Sequence, residues 1–325
     1  MQIWNECFQF WNNDRKLSRV APSTVAPARR SPPTARVAHV LAALTESAPE
    51  ALSLAAVARH ARLSASTCLG ILTELAAAEW VVRRDPGPTY SLGPAAVVVG
   101  QAAQRSHAGL AEARRQLATV AEDLGGLCTV AGVVDAHIVV LDRAGHDPSA
   151  PLVATGTRYP FAAPIGVMFA AWHDDAYVRA WIERATIDLD RRRVARTLDV
   201  VASCRTLGWM AERLTDAERT LHELLPLAGD DPNDAVWRAV ARAAELFGDR
   251  DYVLEEIEAS ARCSVSVVTA PAFDAEGRPD LWLSAYVMHP SVPTRRVRAI
   301  GERLRAAADH VSASVGGRDP WKRSA

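Results

Sequence analysis

Along residues 34–93 the apolar positions recur with helical spacing. Val37, Val40, Leu41 and Leu44 stand at i, i+3, i+4 and i+7, which makes one buried stripe. Thr34 is placed to cap that helix, and Pro49 falls beyond its end. Ser53 opens a second, short helix whose Leu54, Val57, Ala58 and Ala61 share one side. Arg62, Leu63 and Ser64 then turn the chain, and Ser64 caps a third helix that faces Cys68, Ile71, Leu72 and Leu75 inward. Two short helices joined by so tight a turn form a helix-turn-helix pattern. Next come two β-favouring flanks, Trp80-Val81-Val82-Arg83-Arg84 and Thr89-Tyr90-Ser91-Leu92, around a break at Asp85-Pro86-Gly87-Pro88. They predict a hairpin over 80–92, so that 34–93 reads as a winged helix-turn-helix domain.

Downstream, GQAAQRSHAGLAEARRQLATVAEDLG is helix-compatible and free of proline, and residues 94–122 read as a linking helical region. CTVAGVVDAHIVVLDRAG predicts two strands around a turn at Asp135-Ala136, with apolar runs suited to largely buried strands. LVATGT predicts a further strand, residues 165–185 have helical spacing, and CSVSVVTAPAFDAEGRPDLWLSAYV predicts a hairpin turning at Asp-Ala-Glu-Gly. A last amphipathic helix aligns Val297, Ile300, Leu304 and Ala308. The expected class is α+β: the winged domain, the linker, and over 123–314 a GAF/PAS-like mixed sheet with helices covering one face. A helical insertion is expected over about 214–260, in the pieces TDAERTLHELLPL, DAVWRAVARAAELF and DYVLEEIEAS. Residues 1–33 mix Pro, Ser and Arg without periodicity in their second half, so they read as a weakly ordered arm, and 315–325 as a flexible tail. Trp4, Phe8, Phe10 and Trp11 either pack as a short amphipathic helix or do no work.

Composition narrows the chemistry. The 325 residues carry a formal net charge of −1, so attraction to a polyanion must come from a local patch. Cys7, Cys68, Cys128, Cys204 and Cys263 are widely spaced, without CxxC or Cys/His clusters, which fits free thiols in a reducing compartment. No stretch approaches the roughly 20 apolar residues that span a bilayer, so a cytoplasmic location away from membrane is the expectation. No cofactor or metal motif occurs. His173-Asp174-Asp175 and His146-Asp147 place imidazoles beside carboxylates, but neither pair belongs to a nucleophile elbow, a metal-spaced motif or a phosphate loop. They read as caps and solvated charges, and the chain as no enzyme.

A helix-turn-helix raises the question of double-stranded DNA. At about 100° per residue, the outward face of the third helix is Ser66, Gly70, Thr73 and Ala77, flanked by Thr67 and Leu69. This face is small and neutral, so it lacks the arginine that commonly grips guanine. It offers hydroxyls from Ser66, Thr67 and Thr73, with Ser64 at the helix start, and apolar contact from Leu69 or Ala77 to thymine methyls. Gly70 costs the helix roughly 1 kcal/mol against alanine; close approach to bases or drift in a degenerate domain would each explain it. Charge comes from around the helix: Arg59 and Arg62 bracket the turn, Arg83 and Arg84 lie on the wing, and Arg29, Arg30 and Arg36 precede them. Between 29 and 93 these seven arginines face Glu46, Glu50, Glu74, Glu79 and Asp85, a net of about +2. Arg62, Arg83 and Arg84 are the expected phosphate contacts.

These stretches resemble the IclR family of bacterial transcriptional regulators. RVAHVLAAL, LSLAAVARHARLSASTCLGILTELAAAEWV and the wing ending in YSLGP are similar to its N-terminal domain, with LAAVARHARLSAST standing at the family's L-x-E-I-A-R-x-x-G-L-x-x-S-T. Where that family continues with a basic or histidine-containing stretch and a glycine before the wing aromatic, this chain has Leu69-Gly70 and Glu79. YPFAAPIG, LGWMAERL and VVTAPAFDAEGRPDLWLSA resemble its effector-binding domain. The resemblance implies a pocket between the sheet and those loops, where a small carboxylate or aromatic acid is gripped by backbone amides and a few polar side chains. Ser284 falls on a pocket serine, Tyr286 replaces the next polar position, Val267 replaces a frequent cysteine, and Ile165 and Gly166 match the amide-bearing loop. The acidic residue expected before the last hairpin has only Glu255, Glu256 and Glu258 as candidates by position. The inserted segment, with Trp237, Leu246 and Phe247, is either a lid over a bulkier, more apolar effector or a dimerisation element over a closed pocket.

The function so implied is a regulator that binds operator DNA as a homodimer or tetramer and answers to a small-molecule effector, an organic acid or a larger apolar ligand. The alternative is an interaction or sensor module whose helix-turn-helix no longer reads DNA.

Overall fold

The computed structural model describes residues 31–134, 137–148, 150, 153–161, 163, 166–183, 191–224 and 261–321. The aromatic arm, the Asp135-Ala136 turn, Ile165, and Trp237, Leu246, Phe247, Glu255, Glu256 and Glu258 of the inserted segment lie outside them. The chain forms two compact units, whose described residues are 31–106 and 107–321.

The first unit opens with α1 (Pro32–Glu46). The helix starts before Thr34, because Pro32 already holds a helical φ and needs no N–H in the first turn. Ser31 is the N-cap residue, and the Thr34 hydroxyl donates to its Oγ at 2.9 Å. Strand β1 (Leu52–Ser53) leads into α2 (Leu54–His60), where the Ser53 hydroxyl accepts from the Ala56 N–H at 3.3 Å. Helix α3 (Ala65–Ala77), the wing strands β2 (Val81–Arg84) and β3 (Thr89–Leu92), and α4 (Pro94–Ser106) complete it. The two wing strands were expected; β1, which pairs Leu52 with Tyr90 and makes the sheet three-stranded, was not. Val40, Leu44, Val57, Cys68, Leu72, Val81 and Tyr90 fill the core between helices and wing.

The second unit begins with α5 (Ala108–Leu124), capped by the His107 imidazole and ended by Gly125 at φ 65°. Six strands form one sheet in the order β6-β5-β4-β9-β8-β7, and every adjacent pair is antiparallel. They are β4 (Cys128–Val134), β5 (His137–Ala144), β6 (Arg158–Pro160), β7 (Met210–Ala211), β8 (Arg262–Phe273) and β9 (Pro279–Pro293). The strand expected at LVATGT falls later, at β6. Gly156 at φ 90° and the Ala154–Thr157 turn break an extended run there. Between β6 and β7 lie α6 (Val167–Ala170), α7 (Asp175–Glu183) and α8 (Arg191–Leu207), and α9 (Asp216–Leu224) follows β7. Helix α8 had no forecast, although Val194, Leu198, Val201 and Cys204 carry its apolar stripe.

Helices cover both faces of this sheet rather than one. α5 and α10 (Thr294–Ser314) bury Val130, Val268, Ala270, Leu281, Leu283 and Ala285 on the outer face. The segments from β6 to α8 bury Val267, Phe273, Trp282, Tyr286 and Met288 on the inner face. The tail beyond α10 is not loose through Trp321: its indole N–H donates to the Trp172 carbonyl at 3.2 Å, and the Arg205 guanidinium lies 3.9 Å over its ring. Arg205 is itself fixed by the Ala171 and His173 carbonyls and the Asp175 carboxylate. Cys68, Cys128, Cys204 and Cys263 are buried free thiols.

Gly301 of α10 lies so close to Trp209 that a methyl group there would stand 2.2 Å from the ring. Gly301→Ala is therefore expected to destabilise the second unit by about 1–3 kcal/mol in chemical unfolding of the full chain, and an unchanged midpoint would contradict this packing.

Candidate DNA-reading surface and effector face

Helix α3 rests on its N-cap. The Ser64 hydroxyl accepts from the Thr67 N–H at 3.2 Å and lies 3.1 Å from Ser66 Oγ and 2.8 Å from Thr67 Oγ1. Three of the proposed DNA-contacting residues thus share one hydroxyl cluster at the helix start. Along the helix Cys68 and Leu72 are buried, while Ser66, Gly70, Thr73 and Ala77 are exposed and Leu69 is 42% exposed. The Thr73 hydroxyl donates back to the Leu69 carbonyl at 2.8 Å.

Gly70 has open space around it, since a Cβ built there meets nothing within 4 Å. Nothing inside the protein calls for glycine at this position. Gly93 is the opposite case. A Cβ there would lie 2.3 Å from the Glu79 carbonyl oxygen, so the glycine of YSLG is what lets the wing close on the end of α3.

Arg59, Arg62, Arg83 and Arg84 are all exposed, Arg83 with Asp85 at 3.3 Å. Arg62 and Glu79 adopt φ values of 54° and 60°. Arg62 stands at the glycine of the G-L-x-x-S-T pattern, and Glu79 replaces the glycine before the wing aromatic. Each charged side chain therefore holds a left-handed backbone that disfavours an L-residue by roughly 1–2 kcal/mol.

On the second unit, pairing brings the candidate effector residues together. Along β9, Trp282, Ser284 and Tyr286 point to the inner face at alternate positions. They pair with Pro271, Thr269 and Val267 of β8, and Trp282 and Ser284 also pair with Ala131 and Thr129 of β4. Thr129, Ser284 and Thr269 thus form a row across three strands, all buried, with the Thr269 and Ser284 hydroxyls 2.7 Å apart. Thr269 also reaches the Met168 sulfur at 3.5 Å. One row along, Tyr159 stands beside Tyr286. Burial first, then the charge and hydrogen bond of Tyr286, hold its hydroxyl well above the ordinary phenol range.

Gly166, at φ 92°, caps α6 beneath Phe161 and Ile138; a Cβ would come within 2.8 Å of the Phe161 ring. Phe169 stacks obliquely on Trp282 with centroids 4.8 Å apart, and Phe161 lies 6.2 Å from Trp181. The indole N–H groups of Trp181 and Trp282 are buried and have no acceptor among the described residues. Such a donor costs about 1–3 kcal/mol when left unpaired. Sequence reasoning named Val267, Ser284, Tyr286 and Gly166 but missed Thr129, Thr269 and Trp282. The alternation in LWLSAYV and VVTAP carried the signal, once the hairpin turn fixes the register.

The histidine–aspartate pair at 173–174 is structural. Asp174 Oδ1 accepts from the Tyr177 N–H at 2.8 Å and so caps α7, while His173 stacks on Tyr177 with centroids 3.9 Å apart. Burial lowers the His173 pKa to about 4; Asp174 opposes that shift and Arg205 adds to it.

No protein-family model and no curated protein matches the chain. Solved structures do. An IclR transcriptional regulator from Alicyclobacillus acidocaldarius aligns over 89% of this chain and 100% of its own, at 19% identity and a TM-score of 0.65. HmgR from Pseudomonas aeruginosa aligns over 86% and 97%, at 22% identity and a TM-score of 0.55. An IclR homolog from Microbacterium hydrocarbonoxydans, solved with 4-hydroxybenzoate, aligns over 87% and 98%, at 16% identity and a TM-score of 0.55. The chain has the fold of the solved IclR regulators. That fold combines a winged helix-turn-helix, as the residue pattern predicts, with a C-terminal domain built on a curled antiparallel sheet, where the expectation was a mixed one.

Two outcomes check the local account. Gly70→Ala should raise the stability of the winged unit by about 1 kcal/mol, whereas Ser64→Ala should lower it by about 1 kcal/mol, both read by hydrogen exchange of α3 amides. A destabilising Gly70→Ala would mean the surrounding space is not open. His173 should titrate near pH 4 in an NMR titration. Its lowered pKa means the unfolded chain takes up the proton first. This residue's contribution to stability is therefore full above about pH 6.5 and lost as pH falls towards 4. A midpoint near 6.5 in the folded chain would contradict its burial.

Proposed function

We propose that the chain is a transcription regulator of the IclR type, in which residues 34–93 bind operator DNA, 94–122 connect, and 123–314 bind a small-molecule effector. The observation that carries this reading is a capped α3 whose outer face is uncharged and small, set among exposed Arg59, Arg62, Arg83 and Arg84 in a winged helix. Ser66, Thr67, Leu69, Gly70 and Thr73 meet base edges while the arginines and the hydroxyl cluster at Ser64 hold phosphates. The chain acts as a homodimer or tetramer, because a single short helix reads only a half-site. Val97, Val98 and Val99 of α4, exposed by 60%, 63% and 47%, supply an apolar surface for that pairing.

Effector binding fits the inner face, where Val267, Ser284 and Tyr286 converge, and the homolog solved with 4-hydroxybenzoate supports a ligand of that size. The ligand changes DNA affinity by favouring one of two arrangements of the paired DNA-binding domains. No catalytic role falls to His173, which is neutral at pH 7. No helix among the described residues is long and apolar enough to cross a membrane.

Replacing Arg83 and Arg84 together by alanine should weaken binding to operator and random DNA alike. The slope of log affinity against log salt should fall by roughly 2, about one per lost phosphate contact. An unchanged slope in fluorescence anisotropy would remove the wing from the interface.

A further inference from the structure

Between residues 34 and 93, Leu69 is the one large apolar side chain that lies exposed among the described residues, at 42%. It sits in the second turn of α3, within the N-terminal half that reaches base edges when a helix-turn-helix enters the major groove. The other exposed residues of these two turns are small: Ala65, Ser66 and Gly70. The Ser66 hydroxyl belongs to the cluster on Ser64 Oγ, 3.1 Å away, and the next hydroxyl along the face, that of Thr73, gives its hydrogen to the Leu69 carbonyl at 2.8 Å. No side chain of the first two turns is an arginine, lysine, asparagine or glutamine, so the paired hydrogen bonds that mark guanine or adenine have no source there. What these turns offer beside Ser66 is an isobutyl group and, at Gly70, open space: a Cβ built there meets nothing within 4 Å. Exposed Arg59 on α2, Arg62 on the turn, and Arg83 and Arg84 on the wing give this surface the charge that complements phosphates.

We propose that Leu69 reads the C5 methyl group of thymine in the major groove, and that this apolar contact, rather than a hydrogen bond to a base, selects the operator half-site. The inference rests on the reading of residues 34–93 as a DNA-binding domain and names the chemical group it selects. All four bases present hydrogen-bonding groups in the major groove, and thymine alone adds a methyl. An apolar side chain pressed on a guanine, adenine or cytosine edge strips water from groups it does not pair. Each group so stranded costs on the order of tenfold in affinity. Pressed on a thymine methyl, the same side chain removes water from apolar surface only and gains about fourfold per methyl. Gly70, with no side chain of its own, leaves the Leu69 isobutyl group as the bulkiest feature of these turns, so it makes the contact first.

The test removes the methyl groups and nothing else. Duplex DNA from the chain's own upstream region is made once with thymine and once with deoxyuridine in every thymine position, which keeps all hydrogen-bonding groups and phosphates. A scrambled sequence in both forms is the control, and binding to the full chain is read by fluorescence anisotropy. Deoxyuridine should weaken binding to the upstream sequence about tenfold or more, at about fourfold for each of two half-sites. The salt slope should not change, because no phosphate contact is lost, and the scrambled pair should bind alike. Leu69→Ala alters an exposed side chain, so the fold is retained; the variant should bind the thymine duplex about tenfold more weakly and distinguish the two upstream forms by about twofold or less. Equal wild-type affinity for the two upstream forms would overturn the inference while DNA binding stands. Discrimination by Leu69→Ala as strong as that of the wild type would overturn the assignment to Leu69. If the wild type binds the upstream thymine duplex no better than the scrambled one, the reading of operator DNA falls, and the inference with it.

Discussion

The antiparallel ladder between β8 and β9 organises the larger unit, because its register decides which side chains meet and on which face. With Thr269 opposite Ser284 and Val267 opposite Tyr286, the alternation of each strand sends Val268, Ala270, Leu283 and Ala285 under α5 and α10 and keeps the hydroxyl row and Trp282 on the other side. The turn that sets this register is itself fixed: Asp274 accepts from the Glu276 and Arg278 N–H groups and pairs with the Arg278 side chain. A slip of one residue would exchange the two faces and move Ser284 and Trp282 into the contact with α10. A single ladder thus serves both as the wall of a core and as the floor of the proposed effector face.

The winged unit follows a different rule. Helix α3 divides its labour by angle, with Cys68 and Leu72 in the core and an outer face that has neither charge nor bulk. In the proposed function, attraction and recognition are separated in space: arginines on the turn and the wing would supply long-range force, and the helix shape. Two of the charged residues near this surface, Arg62 and Glu79, stand on left-handed backbone where the family pattern has glycine. At both positions the left-handed backbone carries a charged side chain rather than the glycine that suits it best. Gly70 is the converse: a glycine in open space where the helix would be steadier with alanine. Its position on the outward face is what close approach to a base pair would require.

Much of this was legible in the sequence. The stripes at Val37–Leu44 and Val297–Ala308, the caps at Ser53 and Ser64, the wing and the final hairpin all follow from local periodicity and turn chemistry, and the structure has them. What escaped depends on contacts distant in sequence. Strand β1 is two residues long and exists because Leu52 meets Tyr90. Helix α8 begins with three arginines that dilute its apolar period, and the docking of Trp321 depends on Arg205, far away in the chain. For the same reason, Ser284 was found by pattern but its partners Thr129 and Thr269 were not. They become neighbours only after three strands have paired.

In the proposed function, this chain recognises DNA through an uncharged helix while surrounding arginines provide the attraction. The most direct measurement is the affinity of the full chain, over a series of salt concentrations, for DNA from its own upstream region and for a scrambled sequence of equal length. Both affinities should fall linearly with log salt and with similar slopes, because the phosphate contacts are shared. The upstream sequence should bind about 10³-fold or more tightly throughout, because the base contacts are not ionic. Binding that is absent, indifferent to salt, or equal for the two sequences would contradict the account.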